Sequence, residues 1–600
     1  MQHHFKRRGG TRQTVTNLAR MAAALVVVAV SLALAAPAAG AQGPATSGTT
    51  AGGTTAGGTT AGGTTAGGTT AEGTTTGGAP AEVQLAFVGD IMLALRVAGL
   101  IGQKGTDYPW QHVAPVLQKA DLAVGNLECA VGTTGQPEKG KEYTFRAPPL
   151  AADGLARAGI DVVGLGNNHA LDYGRECFLE TLDNLKRVKV AYVGGGRNLE
   201  EAARPYIADL KGIKVGILGV CLHLPKGWGA TEKVSGLFSG FDTNRLYKAI
   251  RDLGSRVDWT VVFVHWGNER ADHPEKWHQT LAQRMLEAGA DLVIGHHPHV
   301  WQGIDRRDRS LIAYSLGNFI FTIRPEFPQQ QQTGILLVTL TRDRIREVRV
   351  IPCHIPRAGE TVLAQGELAA RILNRIDRVS APFDTYMTAD GRVERAAFAD
   401  VRDHWAREDI GALAARGIIT GDDTGRYRPE DPTTLAGLTT LLVRTLGLPD
   451  APAVALPADL KDHWAAPHLR AALAAGLISQ GETVPPAVNA PVPRWKTAHM
   501  LAAAMAAGGR PLPPVDSLPG YPDLGSTPRP ALDAIARVTA AGLMQGYPDG
   551  RFGPADSLTR GQTACILLRL LRRLEQPQGT AGAGPGQGTA TGGSGQGGPP

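Results

Sequence analysis

Asp291-Leu-Val-Ile-Gly-His-His-Pro-His-Val300 joins a short apolar run to a cluster of histidines. Its apolar run, Leu292 to Ile294, has the character of a strand buried on both faces of a parallel sheet. Gly295 ends the run, and three imidazoles follow within four residues: His296, His297 and His299. Neutral imidazole is a common ligand for transition metals, and Pro298, with its fixed φ, holds two of the rings at a set offset. Taken alone, a polar loop with surface histidines would read the same way. The pattern recurs upstream, however, in Leu85-Ala-Phe-Val-Gly-Asp90, Leu122-Ala-Val-Gly-Asn-Leu-Glu128, Val162-Val-Gly-Leu-Gly-Asn-Asn-His169 and Val261-Val-Phe-Val-His265.

In open α/β sheets, ligands collect outside the carboxyl ends of the strands, so five such tips can converge on one crevice. They would bring Asp90, Asn126, Glu128, Asn168, His169, His265, His297 and His299 together. Carboxylate, amide and imidazole in that mixture suit one or two divalent ions of Mn, Fe or Zn, and not a cysteine-based site. Metal-assisted hydrolysis is the matching chemistry, the cations polarising an ester and acidifying water. With an ordinary pKa near 6.5, His169 is suited to supply a leaving-group proton near neutral pH. Asp172 has two readings: it orients the His169 ring, or it caps a helix that starts near Arg175.

At these residues the chain resembles the CapA (poly-γ-glutamate capsule synthesis) family, itself related to calcineurin-like metallophosphoesterases. The strings are Gly89-Asp90, Asn126-Leu127-Glu128, Gly166-Asn-Asn-His-Ala-Leu-Asp-Tyr-Gly174, His265-Trp266-Gly267, Gly295-His-His-Pro-His-Val300 and Tyr314-Ser-Leu-Gly-Asn-Phe-Ile-Phe321. The resemblance spans residues 82–356 and implies a layered, metallophosphoesterase-like α/β sandwich. It also implies roles. Asp90 is the acidic metal ligand of the first strand, Glu128 the bridging carboxylate, Asn168 a ligand and His169 the proton donor. His265, His297 and His299 are the remaining ligands, while His296 has no counterpart. Asn126 and Asn167 are expected beside the ligands or the substrate. The related phosphoesterases carry a histidine two residues after the first aspartate; here that position is Met92, a poor ligand for hard metals.

Between 82 and 356, further strand-type runs lie at 190–193, 214–220, 311–315, 335–341 and 346–351. Amphipathic helical stretches lie at 149–158, 177–188, 242–253 and 274–288. The alternation predicts a mainly parallel sheet flanked by helices, with its later strands antiparallel.

Residues 1–41 read as a secretory signal: Lys6, Arg7, Arg8 and Arg20, then an apolar core from Met21 to Ala36, then Ala39-Gly40-Ala41. An uncleaved N-terminal anchor is the competing reading. From 42 to 80, a repeated Ala-Gly-Gly-Thr-Thr pentad has almost nothing apolar to bury and reads as a flexible linker, and the Gly/Pro-rich tail at 576–600 is similar. Five scattered cysteines in 600 residues are too few for a disulfide framework. A formal net charge of +6, with no basic helix and no basic–aromatic interleaving, gives no reason to expect nucleic acid as a partner.

After a helical connector at 357–395 come three similar units, 396–446, 458–507 and 520–575. Asp403-His-Trp405 opens the first and Asp462-His-Trp464 the second. In each unit an aliphatic residue (Ile410, Leu469, Ile535) precedes a glycine (Gly417, Gly476, Gly542) at helical spacing, which marks an all-α repeat array. The units resemble S-layer homology (SLH) repeats, most fully in the third and least in the second. The resemblance implies binding of an anionic secondary cell-wall polymer through an arginine at the start of each second helix. Arg560 matches, Arg494 matches in part, and Leu435 stands there in the first unit.

Together these readings predict an extracellular, cell-wall-anchored protein with a metal-dependent phosphoesterase-like hydrolase domain that serves poly-γ-glutamate capsule synthesis or export. Its partners would be the wall polymer, poly-γ-glutamate or a phosphoester, and the capsule synthesis machinery. The alternative is a non-catalytic accessory that binds polymer, or an envelope component built on the same fold.

Overall fold

The strand Val83–Ile91 is apolar along almost its whole length because its two faces serve two different cores. Leu85 and Phe87 point to one, Ala86 and Val88 to the other. The same alternation of period two runs through Leu122–Leu127, Trp259–His265 and Leu292–His296. Its consequence is two stacked sheets, each covered on its outer face by helices.

The computed structural model describes residues 81–576, apart from 324–325, 357–358, 516, 518–519 and 526. The expected signal at 1–41, the linker at 42–80 and the tail beyond Gln576 lie outside the described residues. Among the described residues no helix is long and apolar enough to cross a membrane, and all five cysteines are buried and unpaired.

In the first sheet, Val83–Ile91, Leu122–Leu127, Val162–Gly164 and Ala191–Val193 run parallel, with Asn318–Ile320 parallel beside the tip of the first strand. Gln332–Leu340, Ile345–His354 and Val362–Leu363 extend the sheet in antiparallel fashion. In the second sheet, Ile213–Cys221, Trp259–His265, Leu292–His296 and Leu311–Ala313 are parallel, with antiparallel edges at Tyr206–Leu210 and Ile304–Arg306. The parallel core and antiparallel late strands agree with the sequence reading. The strands divide between two sheets where alternation alone suggested one, because inward residues such as Phe87, Val124, Val261, Phe263 and Ile294 need a second sheet to cover them. Helices Leu95–Lys104, Ala151–Ala158 and Gly174–Arg187 cover the outer face of the first sheet. Helices Thr243–Gly254 and Lys276–Glu287 cover that of the second.

The segment 357–395, expected to be a helical connector, is more than that. Its helix Gly366–Ser380 packs Ile372, Leu373 and Ile376 into the core between the sheets, and a hairpin, Thr385–Met387 with Val393–Arg395, adds Met387 and Val393.

The repeats follow as pairs of helices: Arg407–Ala414 with Leu435–Leu446, Ala466–Ala474 with Arg494–Ala507, and Arg529–Ala540 with Arg560–Glu575. Each first helix stops at the predicted glycine, and Gly417, Gly476 and Gly542 all have φ near +70°, a conformation glycine adopts without cost. The second helix of each unit packs on the first helix of the next, and the third unit returns to the first. The short segments before the second helices pair in the same cycle, Thr434 with Pro491, Pro493 with Ser557, and Pro432 with Thr559.

Arg402 joins the first repeat to the α/β body. Only 8% of its side chain is exposed. Nε donates to Thr385 O at 3.1 Å and Nη2 to Asp377 O at 2.7 Å, with Asp377 Oδ2 3.0 Å away. Arg407 lies over the Tyr386 ring beside it. Because Arg402→Ala strips buried carbonyls and a carboxylate of their donor, it should lower the unfolding free energy by about 2–4 kcal/mol. Arg402→Lys should recover little of that, lacking the planar fork; denaturant unfolding of the full chain checks both.

Candidate metal centre

The parallel strands of the two sheets end at one crevice. Across the first sheet Asp90 pairs with Asn126, and across the second Cys221 pairs with His265 and His265 with His296. Close approach of the backbones sets these tips. A Cβ on Gly89 would stand 1.9 Å from Gly317 O, and one on Gly295 2.1 Å from Tyr314 O. Only glycine fits before either cluster of polar residues.

Asn126 spans the two sheets. Its Nδ2 donates to Asp90 Oδ1 at 2.9 Å and lies 3.3 Å from His265 Nδ1. Its Oδ1 accepts from Asn167 Nδ2 at 3.1 Å, and Asn167 Nδ2 also donates to Leu127 O at 2.8 Å. Asn167 Oδ1 receives the amide N–H of His169 at 3.0 Å. Both amides hold other site residues in place.

Glu128 is the centre. It is fully buried, and neither carboxylate oxygen has a hydrogen-bond partner. Around Oε1 stand His265 Nε2 at 3.7 Å, His299 Nε2 at 3.8 Å and His169 Nε2 at 4.0 Å. Asn168 Oδ1 is 2.8 Å from His265 Nε2. Asp90 Oδ2 is 3.1 Å from His299 Nδ1, which also meets Asn318 Oδ1 at 3.0 Å. His297 Nδ1 is buried without a partner. Two groups of donor atoms each fall within 4.8 Å of one another: Glu128, His297 and His299, and Asp90, Glu128 and His265. An unpaired buried carboxylate is costly, and a divalent cation with oxygen and nitrogen ligands is what this donor set fits. His297 and His299 have φ of 99° and 59°, strain of about 1–3 kcal/mol each that the surrounding fold sustains.

The electrostatics agree. Burial, then the charge of Asp90, drives the Glu128 carboxyl well above its ordinary range. Burial also pushes the Asp90 carboxyl up, but the hydrogen bond and charge of His299 outweigh it and hold it below the usual value. For His299, burial opposes protonation, yet Glu128 and Asp90 raise it to about 9. Burial and neighbouring imidazoles hold His265 and His297 well below 6.5, ready as neutral ligands.

Asp172 orients the ring. Its Oδ2 is 2.7 Å from His169 Nδ1 and accepts the Phe145 amide at 2.7 Å. The helix Gly174–Arg187 has Tyr173 at its N-cap with no side-chain cap, so the capping reading of Asp172 is corrected. Lys141, absent from the sequence reading, ion-pairs with Asp172, reaches Asn168 O, and stands 3.2 Å from His169 Nδ1. Phe145 stacks on His169 with centroids 4.3 Å apart. No local motif marks these two loop residues. His223 was missed although its signal was present: it follows the predicted 214–220 strand and stacks on His297 at 4.1 Å. His296 turns inward, Nε2 3.2 Å from Val88 O and its ring against Phe263. Met92 is buried in the core, its Sδ accepting the Ala94 amide at 3.3 Å.

In the repeats, Arg560 opens its helix after a capping box formed by Thr559 and Gln562. Its Nε donates to Tyr427 O at 2.8 Å, and it lines a cavity of about 700 Å³ with Arg426, Arg428, Arg444 and Trp464. Arg494 departs from the expectation of a groove residue. It is 5% exposed, donates to Phe552 O and Gln545 O, and stacks against Tyr547 and Phe552, so packing occupies it.

Residues 84–323 match the family "Bacterial capsule synthesis protein PGA_cap", and 397–436 and 520–564 match the S-layer homology domain, which implies association with the cell surface. The stretch 458–507, outside those matched ranges, forms the same helix pair. The chain is 32% identical over 292 residues to the PGA biosynthesis protein CapA of Bacillus subtilis, covering 48% of this chain and 76% of that one. It belongs to the CapA family. It is also 32% identical over 246 residues to the capsule biosynthesis protein CapA of Bacillus anthracis, covering 40% of this chain and 60% of that one. Among solved structures, the NAD nucleotidase of Haemophilus influenzae aligns at a TM-score of 0.27 and 13% identity, covering 49% of this chain and 55% of that one.

A raised pKa means that His299 holds its proton at neutral pH and gives it up as pH climbs through about 9. A metal ligand must be deprotonated, so Mn²⁺ or Zn²⁺ binding should release protons at pH 7 and tighten between pH 6.5 and 9. Calorimetry in buffers of different ionisation enthalpy measures both, and Glu128→Gln should abolish the binding.

Proposed function

We propose that this CapA-family domain is a metal-dependent hydrolase of phosphoester-type substrates that serves poly-γ-glutamate capsule synthesis or export, displayed at the cell wall by its SLH repeats. The observation that carries the reading is Glu128, a buried carboxylate with no partner, ringed by His169, His265 and His299. Asp90, Glu128, Asn168, His265, His297 and His299 would hold one or two divalent ions of Mn, Fe or Zn. When bound, such a cation supplies Lewis acidity and lowers the pKa of water. The chain's own residues do the rest. Asp172 accepts from His169 Nδ1, so Nε2, which faces Glu128, is the atom that takes up and hands on a proton. Phe145 covers one face of that ring, and Lys141 ties the 132–146 loop to the turn that carries it.

A second reading, a non-catalytic accessory that binds polymer, is favoured by one observation: Met92 packs into the core and offers the centre nothing. For the wall, the cavity beside Arg560 sets four arginines and an exposed tryptophan against three aspartates, one of them already paired with Arg428, which leaves cationic donors for an anionic polysaccharide, the secondary cell-wall polymer. Poly-γ-glutamate and the synthesis machinery are the further partners this reading implies, in an extracellular setting.

His169→Ala should lower turnover of a chromogenic phosphodiester by about 10²–10⁴-fold while metal content stays the same. Absence of wild-type activity on every phosphoester tried would favour the accessory. In sedimentation with purified sacculi, Arg560→Ala should pellet less than wild type, and stripping the secondary polymer should release both.

A further inference from the structure

We propose that His223 brings a sixth strand tip to the crevice, as a substrate-contacting residue that donates its ring N–H to an anionic oxygen of a phosphoryl group bound over Glu128. This rests on the hydrolase reading. Strand Ile213–Cys221 pairs in register with Trp259–His265, and that strand with Leu292–His296. Three successive tips of the second sheet therefore set His223, His265 and His297 side by side.

The rings stand in a row, each tilted on the next. His223 lies 4.1 Å from His297 at an interplanar angle of 30°, and His297 lies 4.7 Å from His265. His265 and His297 are buried, whereas His223 is exposed and forms the outer member of the stack. A ring laid face-on to a ligand presents its edge, and so its N–H, alongside that ligand and not toward the ligand's own donor atom. Among the described residues no hydrogen bond engages either ring nitrogen of His223. A neutral imidazole always carries one N–H, so donation needs no change of charge. His169, from the first sheet, faces Glu128 from the other side. A group seated over that carboxylate would thus meet one imidazole from each sheet.

The test titrates inorganic phosphate into the Mn²⁺-loaded full chain by calorimetry, with metal content measured in parallel. His223→Ala should retain the metal and weaken phosphate at least about tenfold, the loss expected for one hydrogen bond to a charged group. His223→Phe, which keeps the stacking on His297, should weaken it equally, and His223→Gln, which keeps an N–H, should recover part. Wild-type affinity in both His223→Ala and His223→Phe would make the residue a cover for His297 and overturn the proposal. Loss of metal in these variants would make it a ligand and overturn it as well. Failure of the metal-loaded wild type to bind phosphate would instead sink the hydrolase reading, and this inference with it.

Discussion

A carboxylate taken wholly out of water must be compensated, and the site around Glu128 is arranged to that end. The group stands where two sheets meet, with imidazoles from both on three sides and no hydrogen bond of its own. Fold and site are therefore one problem. Two parallel sheets stacked through Phe87, Val124, Phe263 and Ile294 place the carboxyl ends of their strands over one crevice. Asn126 then stitches the two halves together, meeting Asp90 of one sheet and His265 of the other. Loosening either sheet would separate donors that chemistry needs within a few ångströms.

Much of this was legible in the sequence because strands buried on both faces leave a strong signal. Their apolar runs are continuous, and the residue at which the run breaks is the residue that enters the site. That logic places Asp90, Glu128, Asn168, His265, His297 and His299 at or just beyond strand tips from the sequence alone. It applies equally to 214–220, where His223 lies three positions beyond the expected strand and two beyond the observed one. The division into two sheets was harder to see, since a strand between a sheet and a helix layer has the same pattern whichever sheet it joins.

What the sequence concealed has physical reasons. Lys141 and Phe145 reach His169 from a loop, where spacing carries no periodic information, and only the folded path brings them within 3.2 Å and 4.3 Å of that ring. Asp172 could have served a helix or a histidine by sequence spacing alone; the backbone turn at Tyr173 decides between them. Arg494 resembled its counterpart Arg560 in position, yet the aromatic pair Tyr547 and Phe552 encloses it and turns its fork to carbonyls. The second repeat, weakest by motif, still folds as the others do, because burial of Leu469, Met500 and Leu501 depends on hydrophobic spacing and not on signature residues.

The cyclic pairing of the segments before the second helices, Thr434 with Pro491, Pro493 with Ser557 and Thr559 with Pro432, sets this array apart from an open solenoid. An open stack gains or loses units one at a time, since each unit touches only its neighbours and the end units are capped. Here there is no end unit: each segment is both donor and recipient in a closed ring of three. Removing one unit would leave two unmatched edges facing across a gap, and a fourth would have nowhere to enter. The unit 458–507 keeps its place because the ring needs its backbone, whichever residues its surface carries.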